Sequence, residues 1–219
     1  MMKTDRLEEV ISLEPAQDNT GKYSVILCDA PWAYKSARTL QGKGSHLTAM
    51  PGQHYETTDS KNLRDIGKHL HQVVEDDSIL FMWSTGPVLA EAIELMGVWG
   101  YPYSQVAFVW NKVNGNPGSY THTNCEFVLV GRRNRIPRPY KRSSARQYIE
   151  NKKTGHSVKP EDIQDRIEKM FSTEDHNHLE LFARRHREGW ECLGVELSGN
   201  DIRMDLDLLH TKIGVGDET

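Results

Sequence analysis

Residues 23–32 read YSVILC-DAPW, from Tyr23 to Trp32. The first six are almost wholly apolar and rich in β-formers, which predicts a strand buried on both faces, as in a parallel sheet. The next four stand at the carboxyl end of that strand, where open α/β sheets bind ligands. Asp29 offers a carboxylate that accepts a hydrogen bond from an exocyclic amine. Ala30 offers its carbonyl, since Pro31 restricts the backbone before it to an extended form. Trp32 offers a ring for stacking. Together they can orient an amine so that its nitrogen lone pair is free to attack. An ordinary strand-to-loop turn with a packing indole is the other reading of the same four residues.

Outward from this strand the chain alternates. Leu63, Ile66, Leu70 and Val73 recur at helical spacing, with Thr58, Asp59 or Ser60 as the cap. Ser78–Ser84 is a second apolar strand, and Pro87 opens a helix through Leu89, Ile93 and Met96 that ends near Gly97 or Gly100. Strands follow at 105–110 and 126–130, then a helix from Pro160 carrying Ile163, Ile167 and Met170. Strands at 179–183 and 190–195 close the chain. Such alternation implies an α/β domain with a mostly parallel sheet. Residues 1–22 form a polar N-terminal arm, residues 23–219 a single domain, and residues 33–58 a long loop without periodicity.

Composition narrows the function classes. The chain has 219 residues, 37% hydrophobic and 26% charged, which suits a folded soluble domain with a sizeable core. No apolar run approaches the ~20 residues of a membrane span. The opening MMKTDRLEEV lacks the apolar stretch of a signal peptide. Cys28, Cys125 and Cys192 are far apart, which argues against a disulfide framework and for a reducing, cytoplasmic setting. The net charge of -4 excludes a uniformly basic coat but not a local basic surface. One such surface lies at about 131–155, where Arg132, Arg133, Arg135, Arg138, Lys141, Arg142 and Arg146 are interleaved with Tyr140 and Tyr148. The stretch suits a phosphate backbone with an unstacked base, and equally a solvated loop. His122, His156, His176 and His178 match no standard metal spacing, and no metal is expected. Glu126 is either an acid of the pocket or an edge-strand acid.

DAPW resembles the DPPW signature of the adenine-N6 methyltransferases, in the MT-A70 family of the eukaryotic mRNA adenine methyltransferase catalytic subunit. Further blocks follow in that family's order: ILFMWSTG from Ile79, VWNK from Val109, CEFVLVG from Cys125, GHSVKP from Gly155, and LELFAR from Leu179 with GW at 189–190 and GVEL at 194–197. They cover roughly Tyr23 to Leu197. The resemblance implies a Rossmann-like S-adenosylmethionine-dependent methyltransferase, permuted so that the catalytic motif precedes the cofactor motif. Asp29 and the Ala30 carbonyl would hold the adenine amine, with Pro31 shaping the turn and Trp32 stacking on the base. Lys159 would pair with the cofactor's methionine carboxylate, a role its single ammonium suits. Phe182 would line the cofactor, Arg184 and His186 would lie near its ribose, and Glu196 would bond its ribose or adenine. Cys28, Asp29, Ser157, Leu181 and Val195 complete the implied cofactor set. Arg184, Arg185 and Arg187 read equally well as surface charges.

The sequence departs from the family at two of these positions. Ala30 replaces a proline, which spares the carbonyl but loosens the turn. Val195 stands where asparagine is common, so one cofactor hydrogen bond is lost or passes to Asn200. Asp29 and Trp32 are both kept, which favours an active enzyme over a noncatalytic nucleic-acid-binding subunit. Compactness resembles the bacterial and phage members, which implies DNA as substrate, with RNA as the alternative. A duplex target would have to be flipped from its stack. A homodimer or an activating partner subunit is compatible with the family, and no membrane association is expected.

Overall fold

The computed structural model describes residues 21–32, 60–117, 120–141, 145–152 and 159–216. The N-terminal arm up to residue 20, the 33–58 loop, Arg142 and Ser157 lie outside the described residues. In chain order the elements are β1 (Tyr23–Cys28), α1 (Ser60–Val73), β2 (Val74–Ser84), α2 (Leu89–Val98), β3 (Tyr103–Pro117), β4 (His122–Arg132) and β5 (Tyr148–Glu150). They continue with α3 (Asp162–Met170), β6 (His178–Leu181), β7 (Trp190–Leu193), α4 (Val195–Ser198) and α5 (Ile202–Gly216).

The strands form one sheet in the order β5-β3-β4-β2-β1-β6-β7. Every pairing is parallel except those of β4 with β2 and β3, so β4 alone runs against the others. Only four residues separate β3 from β4, as suits an antiparallel pair, whereas parallel neighbours need long crossovers. The chain winds from β1 toward β2, and from β6 toward β7 on the other side. The point where the direction changes therefore lies between β1 and β6, at the carboxyl ends of both.

Side-chain alternation along the strands divides the core in two. Ile26, Cys28, Leu80, Met82, Leu129, Leu179 and Leu181 face α1, α2 and α5. Val25, Leu27, Phe81, Trp83, Val128 and Val130 face α3, through Ile163 and Ile167. β1 is buried along nearly its whole length, as its composition predicts. At the end of α2, Gly100 (φ 77°) allows a reversal in which Tyr101 N–H donates to the Met96 carbonyl and Gly100 N–H to the Gly97 carbonyl.

Four expectations are corrected. Pro87 sits in a 3-10 turn, Gly86–Val88, and the α-helix begins after it at Leu89. β3 extends to Pro117, well past Trp110, because beyond the sheet it still has β4 as partner. Tyr148–Glu150, inside the basic stretch, is a strand paired with β3. The chain does not close on strands: α5 follows, with Ile202, Leu206 and Leu209 buried against the α1 face and Ile213 packed beside them. Their spacing of four, three and four is helical.

Candidate active site

The DAPW turn is fixed from both sides. Asp29 N–H donates to the Leu181 carbonyl across the β1–β6 junction at 3.3 Å. Trp32 N–H donates to the Ala30 carbonyl at 2.9 Å, closing a tight turn over Pro31. A carbonyl has two lone pairs, so Ala30 retains acceptor capacity. The Trp32 indole N–H donates to the Trp83 carbonyl at 3.1 Å, and the residue is only 5% exposed. The ring thus packs in the α1-side core and fastens the turn to β2. The structure does not offer it to a stacking base.

Four charges of alternating sign line the carboxyl edge of the sheet. Lys112 Nζ lies 3.1 Å from Glu126, Glu126 lies 2.9 Å from Lys159, and Lys159 lies 3.2 Å from Asp29. The Lys159 ammonium also stands 4.9 Å from the centre of the Trp83 ring. Burial opposes ionisation at both central groups. For Glu126 it pushes the carboxyl up, but Lys159 and then Lys112 outweigh it and hold the carboxyl below its ordinary value. For Lys159 burial pushes the ammonium down, but Asp29 and Glu126 outweigh it and hold it above its ordinary value. The two are charged together. Glu126 is no edge acid, since β4 lies between β2 and β3.

Beside this row opens a cleft of about 440 Å³ at the β1–β6 junction, lined by Asp29, Trp83, Lys159, Glu180, Phe182 and Glu196 among others. Glu180 projects from β6 and accepts a hydrogen bond from Gln164 Nε2 at 2.7 Å. Burial, then the nearby Asp29 carboxylate, push its carboxyl from 4.5 to about 7. Phe182 holds a left-handed backbone (φ 61°), a conformation that costs a non-glycine residue about 1–3 kcal/mol and collects at ligand sites. Across from it, a Cβ on Gly194 would lie 2.3 Å from the Ala183 carbonyl oxygen. Only glycine lets β7 close on β6 there. Arg184 and Glu196, 3.9 Å apart, span the cleft's outer rim.

Five of the expected cofactor residues therefore meet in one place: Asp29, Lys159, Phe182, Arg184 and Glu196. Cys28 and Leu181 do not join them with their side chains, because alternation turns both into the opposite core. His186 and Val195 are exposed and stand outside the lining, Val195 because residues 195–198 are helix and not strand. Arg187 is a structural clamp, bonding Glu168 at 2.7 Å and Asp165 on α3. Glu180 and Gln164 belong to the cleft without having been singled out. An acid inside the otherwise apolar LELF was the available signal for Glu180.

Among the described residues, the basic stretch from Arg132 to Arg146 is not brought to this cleft. β4 runs antiparallel to β2, so Arg132 pairs with Ile79 at the amino end of the parallel strands. Arg133 N–H donates to the Ser78 carbonyl, its guanidinium lies 3.4 Å from Asp76, and Arg135 N–H bonds Asp77. Tyr140 stacks on Phe171 at 5.2 Å, and Lys141 N–H donates to Met170 at the far end of α3. Arg138 is exposed on the same loop, and the Arg146 carbonyl is bonded by Arg166. Strand polarity carries the loop away from Asp29. Among the described residues no cluster of histidines, cysteines or acids could hold a metal ion, and no helix is long and apolar enough to cross a membrane.

Comparison with known proteins agrees with this geometry. The profile of the MT-A70 family matches residues 23–196. The chain is 37% identical over 212 residues to the type II methyltransferase M.MunI of Mycoplasma sp, covering 92% of this chain and 88% of that protein. It is 26% identical over 189 residues to the N(6)-adenosine-methyltransferase subunit METTL3 of Danio rerio and to the catalytic subunit METTL3 of Homo sapiens, covering 82% of this chain but 29% of each of those proteins. From the first residue of β1 to Glu196 in the cleft, the matched span contains the sheet, the DAPW turn and the charge row, and the chain belongs to the MT-A70 family of methyltransferases.

Proposed function

We propose that this enzyme transfers the methyl group of S-adenosylmethionine to the N6 amino group of adenine in DNA. The observation that carries the reading is the Asp29 carboxylate, set at the β1–β6 junction 3.2 Å from Lys159, at the mouth of the cleft. The donors present fit the cofactor. Lys159 suits its carboxylate, Glu180 its ammonium, and Phe182 and Glu196 its adenosine portion, while the bare Gly194 backbone keeps the two strand ends close. When bound, S-adenosylmethionine supplies an electrophilic methyl group.

The chain's own residues act on the other partner. Asp29 and the Ala30 carbonyl accept the two N–H groups of the adenine amine, which leaves its lone pair directed away from both acceptors. Lys159, 3.2 Å from Asp29, fixes the position of that carboxylate. Trp32 positions the turn through Trp83. The choice of DNA rests on size: the chain matches the type II methyltransferase nearly end to end and spans under a third of the METTL3 proteins. The cysteines, free among the described residues, suit the cytoplasm, where we place the enzyme.

The test is incubation with labelled S-adenosylmethionine and matched single-stranded DNA, duplex DNA and RNA, with Asp29→Ala as control and nucleosides identified by mass spectrometry. N6-methyladenine in DNA from the unmodified enzyme alone is expected. Methylation of RNA only would keep the chemistry and overturn the substrate.

A further inference from the structure

Past the charge row, β3 and β4 leave the sheet. β2 ends at Ser84 opposite Phe127, and β5 ends at Glu150 opposite Asn111. Beyond Asn111 and Cys125 the two strands have only each other, pairing as far as Asn116 with Thr123 and Pro117 with His122. The result is a short two-stranded ribbon that reaches about 10 Å past Cys125 at the rise of a strand, with β3 bulged against β4 between Asn111 and Asn116 around the left-handed Val113 (φ 66°).

Its chemistry is unlike that of the basic stretch. From Asn111 to Cys125 the sequence is NKVNGNPGSYTHTNC, with Lys112 its one formal charge, already tied to Glu126. Amides, hydroxyls and an imidazole dominate. Side chains of this kind are suited to base edges, whereas phosphate contacts draw on lysine and arginine. Apolar anchors of the sort that form a protein interface are sparse, with Val113 at 40% and Tyr120 at 100% exposure the large ones.

The register links this ribbon to the active site. Alternation along β4 places His122, Asn124 and Glu126 on one face, so the row that begins in the charged cleft continues up the ribbon. Gly115 lies against that row: a Cβ there would meet the Cβ atoms of Asn124 and His122 at 3.1 and 3.2 Å. With no side chain on Gly115, the face between the two polar groups is open. Asn124 is fixed by donating to Asn111 Oδ1 at 3.1 Å and accepting from the Cys125 thiol at 3.7 Å, and it retains a second N–H and one lone pair on its carbonyl oxygen.

We propose that the β3–β4 ribbon is the sequence-reading element, entering the major groove of duplex DNA beside the flipped adenine and presenting Asn124 and His122 to base edges. The groove admits a two-stranded ribbon, and asparagine bonds adenine at two points there. This rests on the reading of the chain as a DNA methyltransferase. At the same end, exposed Lys152 follows β5 and Asn151, whose N–H bonds the Asn111 carbonyl, and is placed for a phosphate.

The test maps N6-methyladenine on duplex DNA with randomised bases around a fixed adenine, comparing the unmodified enzyme with Asn124→Ala and His122→Ala. Calorimetric titration with S-adenosylmethionine confirms that each variant is folded. The expected result is a defined context whose preference falls roughly tenfold at one or two positions in each variant. An unchanged context, or an unmodified enzyme with no context, would overturn the inference. So would a shift from dimer to monomer in sedimentation with the context kept, which would make the ribbon a contact between two copies. Failure of the underlying reading appears separately, as no methyladenine in any DNA from the unmodified enzyme.

Discussion

The two ends of the sheet carry comparable numbers of charges and treat them in opposite ways. At the carboxyl end of the parallel strands, Lys112, Glu126, Lys159 and Asp29 are brought together from β3, β4, the approach to α3 and β1, partly buried and mutually dependent. At the amino end, Arg132, Arg133 and Arg135 come from one run of sequence; the Arg133 guanidinium meets Asp76, the Arg135 backbone N–H bonds Asp77, and Arg132 and Arg135 are exposed. The first set is dispersed in sequence and concentrated in space. The second is concentrated in sequence and lies on the surface, away from the cleft. Strand direction, not charge density along the chain, decides which end can act on a ligand.

The comparison is broken most sharply by single substitutions at the carboxyl end. Asp29→Ala should lower turnover by roughly 10²–10⁴-fold, the range for a group positioned at the reacting atoms, measured as methyl transfer at saturating S-adenosylmethionine. Next in size, Lys159→Ala should weaken S-adenosylmethionine binding by about tenfold or more, since a charge-assisted hydrogen bond is lost and two carboxylates are left facing each other. Unchanged affinity would remove Lys159 from the cofactor site.

Glu180 gives a pH-dependent test. Its carboxyl ionises at about 7 in the fold and at 4.5 ordinarily. Between those values the native state binds the extra proton, so stability of the ligand-free protein falls as pH rises from about 4.5 toward 7, by at most roughly 3 kcal/mol. Glu180→Gln should flatten that slope in a thermal-unfolding series and raise the melting temperature at pH 8. Cofactor affinity should rise with pH through 7 in the unmodified enzyme and lose that rise in the variant. A slope that persists in Glu180→Gln would assign the titration elsewhere.

The smallest effect is expected at the other end. Neutralising Arg132, Arg133 and Arg135 together should change DNA affinity by less than about twofold, because they stand at the amino end of the sheet and arginines that touch no phosphate add nothing to DNA affinity. A large loss with a reduced salt slope would bring DNA to the amino end as well.

How much of this was legible in the sequence follows from the kind of signal each feature left. β1 and β2 were legible, because short apolar runs rich in β-branched and aromatic residues and bounded by polar ones favour buried strands, whereas the DAPW turn had two readings until the blocks that follow it in order were counted. Lys159 could be placed only through its resemblance, since its partners lie 33 and 130 positions away along the chain. Trp32 was misread because an exposed stacking ring and a buried capping ring have the same sequence; only the bond to Trp83 separates them. The Arg132–Arg135 placement required the direction of β4, which a turn of a few residues sets and composition does not. The helix after Ile202 was legible in the spacing of Ile202, Leu206, Leu209 and Ile213, beyond the strands that the sequence reading takes to close the chain.

The most direct test of the central claim compares two variants in one assay, methyl transfer from labelled S-adenosylmethionine to adenine in DNA. One is Asp29→Ala, and the other replaces Arg132, Arg133 and Arg135 with glutamine. The first should form N6-methyladenine at least about 10²-fold more slowly, and the second should stay within about twofold of the unmodified enzyme because its arginines lie away from the cleft. Full activity in Asp29→Ala, or its loss in the arginine variant with the fold intact, would contradict the assignment of the active site to the carboxyl end of the sheet.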